Sequence, residues 1–200
     1  MESCEIDKGE GKLKTTIKTK DEHPVSVWSG GTTTQLYLYP QGSDYARRDF
    51  RVRISSATVD CERSEFTSLP GVSRIILPLK GSLRLYYEGH GEKLLHEYEQ
   101  DQFDGAWRTT SVGRATDFNL MLREGASGTV DVFQLGFGEC LELENGQDGI
   151  LAVYVAEGTA RYENDNLEQG TMISSEETGR LSLCAEKPDG CRLICVKVQL

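Results

Sequence analysis

An all-β protein, antiparallel strands with little helix arranged as two related jelly-roll units, is the fold class this sequence predicts, and three observations predict it. Apolar residues recur in short runs with the strand period of two, where a helix would space them three and four apart. Glycine is plentiful, 21 of 200 residues, and falls between those runs at turn positions. The third is an internal echo. Lys80-Gly81-Ser82-Leu83-Arg84-Leu85-Tyr86 returns 77 residues later as Glu157-Gly158-Thr159-Ala160-Arg161-Tyr162-Glu163, each copy following an apolar run, Ile75–Leu79 and Ile150–Val155. Gly105 has a counterpart in Gly170, within Leu167-Glu168-Gln169-Gly170. Strand, Gly turn, strand, repeated twice, is the rhythm of two small antiparallel barrels or sandwiches.

Residues 1–22 are polar and rich in Lys and Glu, with Leu13 and Ile17 as apolar anchors, and read as a frayed terminus contributing at most one edge strand. A first unit is expected over 23–123, with strand exchange to a second over 124–200. Val25–Trp28 is its first strand. It enters Ser29–Thr34, a Gly-containing loop that serves either as a hairpin turn or as a cradle for an anion. Gln35–Tyr39 is a strand stopped by Pro40. Phe50–Ser55 alternates, with Phe50, Val52 and Ile54 on one face and Arg51, Arg53 and Ser55 on the other, a polar face that is wet or lines a pocket. Cys61–Leu69 is a loop ending at Pro70-Gly71, a strong turn dipeptide. Strands Ile75–Leu79 and Leu83–Tyr87 meet at a bend at Lys80-Gly81, Glu88–Gly91 is a hairpin tip, and Phe118–Leu122 is the closing strand. Beyond the turn at Glu124–Gly128, Thr129–Phe133 opens the second unit.

The formal net charge of −10 argues against nucleic acid, which demands clustered cations. Its distribution is uneven: Ala46 to Arg123 holds ten Arg and two Lys against eleven acids, whereas Glu124 to Leu200 holds five bases against fourteen acids. Arginine forks suit carboxylates, so the first unit is expected to take a small anion. No apolar run approaches the roughly 20 residues of a membrane span, and the N-terminus lacks a signal-peptide pattern, so neither a membrane partner nor export is expected and the location reads as cytoplasmic. The cysteines, at 4, 61, 140, 184, 191 and 195, lack metal-ligand spacing and are expected as unpaired thiols. A two-residue turn at Asp189-Gly190 would place Cys184 opposite Cys195. A homodimer is compatible with everything above.

The glycines Gly81, Gly105 and Gly113 resemble the frame of the two cupin motifs, and the resemblance implies a metal held by three His and a Glu. Position by position the ligands are missing. Arg74 stands where the Glu is due, seven residues before Gly81; Thr67–Pro70 holds no His; and Thr116 follows Ser111-Val112-Gly113 where the last His is due. His23, His90 and His96 lie elsewhere and read as solvated or hydrogen-bonded side chains. Four blocks, Trp28–Thr33, Phe50–Ser55, Phe66–Arg74 and Asp117–Met121, resemble the HutD/Ves family in order. That resemblance implies a double cupin of unestablished activity, with some members encoded beside histidine-degradation enzymes and others linked to stress responses.

Together these readings predict a pocket without metal or other cofactor. Arg53, Ser55, Arg74, Asp117 and Asn119 would converge on it, and Phe103 and Trp107 would supply an apolar wall. Asp104 and Asp117 are the acids able to pair with Arg74 and close the pocket instead. The leading expectation is a non-catalytic bicupin binding a small carboxylate metabolite, linked to histidine degradation or stress response. Two alternatives stand beside it: an isomerase or epimerase using Asp104 or Asp117 as base and a Tyr as acid, and an interaction protein docking through its acidic second half.

Overall fold

A computed structural model of the chain describes residues 13–200. Expectations for residues 1–12, Cys4 among them, lie outside the described residues. The elements in chain order are β1 (Thr16–Lys18), a 3-10 turn (Lys20–Glu22), β2 (Val25–Trp28), β3 (Gly31–Tyr39), β4 (Val52–Val59), β5 (Arg63–Glu65) and β6 (Ser73–Gly81). They continue with β7 (Leu83–Tyr87), β8 (Gly91–Leu95), β9 (Asp101–Asp104), β10 (Thr109–Val112), β11 (Ala115–Leu122) and β12 (Ser127–Leu135). The last six are β13 (Cys140–Asn145), β14 (Gly149–Tyr162), β15 (Asp165–Glu168), β16 (Met172–Ser175), β17 (Gly179–Ala185) and β18 (Cys191–Gln199).

These strands form two sandwich-like lobes, open at the edges and not closed barrels. In the first, a six-stranded sheet ordered β2-β3-β4-β11-β6-β9 faces a four-stranded sheet ordered β5-β10-β7-β8. Between the two sheets Ile76 and Phe103 pack with Leu83, Leu85, Tyr87 and Leu95. In the second lobe the long β14 runs through both layers. Its first part pairs with β16 and β18, its last with β15 and β17. β1 crosses over to pair with β16, so the N-terminal segment supplies one edge strand of the second lobe. The lobes meet in an apolar layer made by alternate residues of the facing strands. Val52 and Ile54 of β4, Ile75 and Leu77 of β6, and Phe118 and Leu120 of β11 pack on Ile150 and Ala152 of β14 and Ile194 and Val196 of β18.

Gly81 and Gly158, equivalent in the sequence echo, both adopt left-handed backbone, φ 82° and 75°. A Cβ there would stand 2.7 Å from the Arg114 carbonyl oxygen and 2.3 Å from that of Gly190, so both bends require glycine. The loop expected at Ser29–Thr34 shrinks to a tight turn: Trp28 pairs with Gly31, and the threonines join β3 as a hairpin arm. β5 forms inside the stretch read as loop, because Arg63–Glu65 finds β10 as a partner, a pairing that local sequence does not encode.

The cysteines depart from expectation. Cys140 and Cys184 form a disulfide. They lie directly opposite each other on the antiparallel pair β13 and β17, which brings the sulfurs together across a long sequence gap. Cys184 is not opposite Cys195, because the turn at Gly190 carries the chain from β17 into a different pairing: Cys195 faces Asp131 of β12 and Val153 of β14. Cys191 and Cys195 are buried free thiols, and burial pushes Cys195 up to about 12. No helix among the described residues is long and apolar enough to cross a membrane.

Candidate functional site

On the inner face of the six-stranded sheet, residues directly opposite on neighbouring strands form rows. One row runs Leu38, Arg53, Met121, Arg74, Phe103 across β3, β4, β11, β6 and β9. The next holds Ser55, Asn119 and Ile76, and the next Ala57, Asp117 and Pro78. The two arginines therefore flank Met121 on strands two apart, about 10 Å between backbones, and Asn119 and Asp117 lead away from them along β11. A cavity of about 460 Å³ opens over this face, lined by Arg53, Ser55, Arg74, Asp117, Asn119 and Met121. Its mouth is formed by Ser26, Val27 and Trp28 of β2, by Tyr45, and by Glu65, Phe66 and Thr67.

The side chains are oriented and desolvated. Arg53 is 6% exposed, Arg74 5%, Asp117 4% and Asn119 5%. The Arg53 guanidinium lies 4.1 Å over the Tyr45 ring and donates from Nη1 to Ser55 Oγ at 3.0 Å. Arg74 lies 4.6 Å over Phe66 and 5.2 Å from the Phe103 ring centre. Such stacking holds a planar guanidinium and leaves the N–H groups of its edge free for a ligand. Among the described residues, neither arginine has a carboxylate within ion-pair distance, and Arg53 Nε, Arg74 Nε and Asn119 Oδ1 are buried without hydrogen-bond partners. Burial lowers the pKa of Arg53 and brings Arg74 down to about 10, with Asp117 opposing. Burial pushes Asp117 up to about 7, against the pull of Arg74, the Ala57 amide and Arg53. A lone buried charge is expensive and a buried pair needs close geometry to compensate. Here opposite charges share a cavity without touching, which leaves room between them for a bound group.

Of the eight residues expected at the site, five meet in the cavity: Arg53, Ser55, Arg74, Asp117 and Asn119. Phe103 does not line it. As the direct strand partner of Arg74 it lies beside the guanidinium in the core between the sheets. Trp107 is turned away, its ring stacked on His90 at 4.0 Å and edge-on to Tyr87. Asp104 is exposed at the end of β9 and accepts from the Ala106 amide at 2.8 Å, so it neither pairs with Arg74 nor serves as a base in the cavity. The pairing of Arg74 with Asp117 as a closed ion pair is likewise absent among the described residues. Tyr45, Phe66 and Met121 escaped the sequence reading. Met121 alone was recoverable, since it shares strand parity with Asp117 and Asn119; Tyr45 and Phe66 sit in non-periodic segments.

His96 faces Ser82 Oγ at 3.2 Å, as expected of a hydrogen-bonded His. His23 is not: it is buried with neither ring nitrogen in hydrogen-bond geometry among the described residues, and burial lowers its pKa against a weaker influence of the Gly170 backbone. A larger cavity of about 630 Å³ lies at the lobe junction beside Tyr37, Lys14 and Glu176. Its acids already have partners, Glu176 accepting from Tyr37 Oη and Glu177 from the Lys14 amide. No unpartnered buried side chain lines it among the described residues, whereas Arg53, Arg74 and Asn119 line the smaller cavity with unpartnered atoms.

Solved structures with this architecture include a conserved protein of unknown function from Pseudomonas aeruginosa PAO1. It is 19% identical, with a TM-score of 0.78, and the match covers 94% of this chain and 100% of that one. HutD from Pseudomonas fluorescens SBW25, in a formate condition, is 16% identical with a TM-score of 0.73, covering 93% of this chain and 98% of that one. The pirin YhhW from Escherichia coli, in complex with nickel(II), is 8% identical with a TM-score of 0.69, covering 93% and 99%. A comparison with curated proteins finds no match. A metal of the pirin kind does not fit the residues present here. The cavity offers two guanidiniums and two carboxyls, Asp117 and Glu65, and no group of three or more His, Cys, Asp or Glu among the described residues is placed to hold an ion. The HutD family model matches residues 20–193, and with a match over that length the chain belongs to the HutD family.

Proposed function

We propose that this protein is a metal-free, two-lobed cupin that binds a small carboxylate metabolite in its first lobe and acts in histidine utilisation as a receptor, not an enzyme. One observation carries the reading: Arg53 and Arg74 are nearly buried, held on aromatic faces, and without a carboxylate partner among the described residues. A protein gains nothing in stability from two such charges, so their expected partner is a ligand. The cavity volume lies within the usual range for small-molecule sites. The link to histidine utilisation rests on the family and on the HutD neighbour.

The test is a thermal-shift screen of small mono- and dicarboxylates, including acids of histidine degradation. A ligand at 100 times its dissociation constant adds about 2.7 kcal/mol of stability. Arg74→Ala should keep the fold and weaken binding roughly ten- to hundredfold, about 1.5 to 3 kcal/mol, with Lys restoring it in part. A silent screen together with a destabilised Arg74→Ala would leave the fold and remove the site.

One observation favours a second reading, an isomerase. Asp117 is a buried acid raised to about 7, the range a general base needs, and Tyr45 is the one phenol lining the cavity among the described residues. Incorporation of solvent deuterium into a bound acid, lost in Asp117→Asn, would establish it. The interaction-module reading has weaker support, since Val132 and Phe137 are the exposed large apolar residues of the second lobe among those described.

A further inference from the structure

Asp117 plays no part in holding a carboxylate, and as an anion it would repel one. It sits on the same inner face as the two guanidiniums, almost fully buried, yet makes no ion pair with either. The groups around it are few. Arg53 and the Ala57 amide reach it from β4 and Arg74 from β6, while Asn119 shares its face of β11. Glu65 and Tyr45 stand at the mouth. Every favourable influence on the ionised carboxyl comes from the two arginines and one amide. A bound carboxylate would take those arginines for itself and add a negative charge in the same low-dielectric space.

We propose that the pocket takes up a carboxylate together with a proton, and that the proton resides on Asp117. This rests on the carboxylate reading above and adds the identity of the second ligand. In balance, the ionised site, one carboxylate and one proton from solvent give a complex in which Arg53 and Arg74 hold the carboxylate and Asp117 is a neutral acid. The protonated carboxyl is then a donor beside Asn119 Oδ1, a buried acceptor with no partner among the described residues. The sign follows from linkage: a proton that favours the anion must be favoured by it in return. Burial, even against the pull of Arg74, the Ala57 amide and Arg53, already raises Asp117 to about 7, so the exchange falls near neutral pH. Occupancy would then report acid and pH jointly, rising as either the carboxylate or the proton becomes more abundant.

The experiment uses acetate and benzoate, single carboxylates without a donor or cation for Asp117, on the full chain. Their dissociation constants should be level below about pH 6 and rise about tenfold per pH unit above about pH 7. Calorimetry at about pH 8 in two buffers of different ionisation enthalpy should show uptake of close to one proton per ligand bound. Asp117→Asn should flatten the pH profile, and the calorimetric count stands on the wild-type protein if that variant does not fold. Equal affinity at the two pH extremes with no buffer dependence, or proton release, would overturn the coupling and leave the carboxylate site intact. No binding of either probe at any pH would overturn both.

Discussion

The two lobes use one frame for opposite ends. Counting from the paired bends Gly81 and Gly158, Arg74 corresponds to Leu151, and the strand registers carry the equivalence onward. Asn119 opposite Ile76 corresponds to Cys195 opposite Val153, and Asp117 opposite Pro78 to Leu193 opposite Val155. In the second lobe these positions belong to a packed core with Leu167, Leu181 and Leu183. In the first, Arg74, Asn119 and Asp117 line a cavity. The apolar layer between the lobes explains how the first lobe tolerates a polar interior: Ile54, Leu77, Phe118 and Leu120 are buried outward, against the second lobe. The part of its inner face that holds Arg53, Asn119 and Asp117 is thereby released from core packing, while Ile76 and Phe103 still pack between the sheets. A duplicated fold can keep one copy for stability and open the other for binding.

The comparison breaks most sharply if a residue of the open lobe is moved into the closed one. Leu151→Arg puts an unpaired charge into a packed apolar core, and should cost more than about 4 kcal/mol, enough to leave little folded protein in a urea titration. A variant that folded normally would mean the second lobe has hidden room.

Asp117→Asn comes next, and its effect depends on pH. The folded-state pKa, about 7, lies above the ordinary value of 3.8, so the folded protein holds the proton more tightly than the unfolded chain. Asp117 therefore supports folding fully below about pH 4 and loses that support as pH rises through about 7. At about 1.4 kcal/mol per pKa unit, Asn should stabilise by a few kcal/mol at about pH 8 and change little at about pH 4. Melting curves at the two pH values decide it, and an equal shift at both would place Asp117 in a solvated setting.

The smallest effect is expected from Arg74→Leu, which gives the first lobe the residue of the second. Exchanging a buried cation for an apolar side chain of smaller volume should alter stability by only about 1 kcal/mol, in the stabilising direction, while weakening carboxylate binding at least as much as Arg74→Ala does. Destabilisation beyond that would show Arg74 to be a structural member of the lobe after all.

Much of the site was legible because it lies on strands. Period-two alternation put Arg53 with Ser55, the resemblance to the cupin motif singled out Arg74, seven residues before Gly81, and the family-like block Asp117–Met121 supplied Asp117 and Asn119. Phe103, Asp104 and Trp107 were misplaced because proximity in sequence stood in for proximity in space. β9 delivers Phe103 beneath Arg74, strand alternation turns Asp104 to the opposite face, and the turn that follows carries Trp107 outward. Tyr45 and Phe66 could not be found, since their place depends on loops that fold over the sheet.

By itself the sequence determined what depends on near neighbours: strand period, glycine bends, the duplicated order of elements and the absence of a His-and-carboxylate ligand set. Only the tertiary structure decided which face of each strand looks inward. Phe118–Met121 carries apolar residues on both faces, and the choice is made by the second lobe, which covers Phe118 and Leu120 and leaves Asn119 and Met121 to the cavity. It also decided that Cys184 meets Cys140, through a pairing between strands 44 residues apart. Both are long-range choices, set by which surfaces are buried against each other, and no local pattern encodes them.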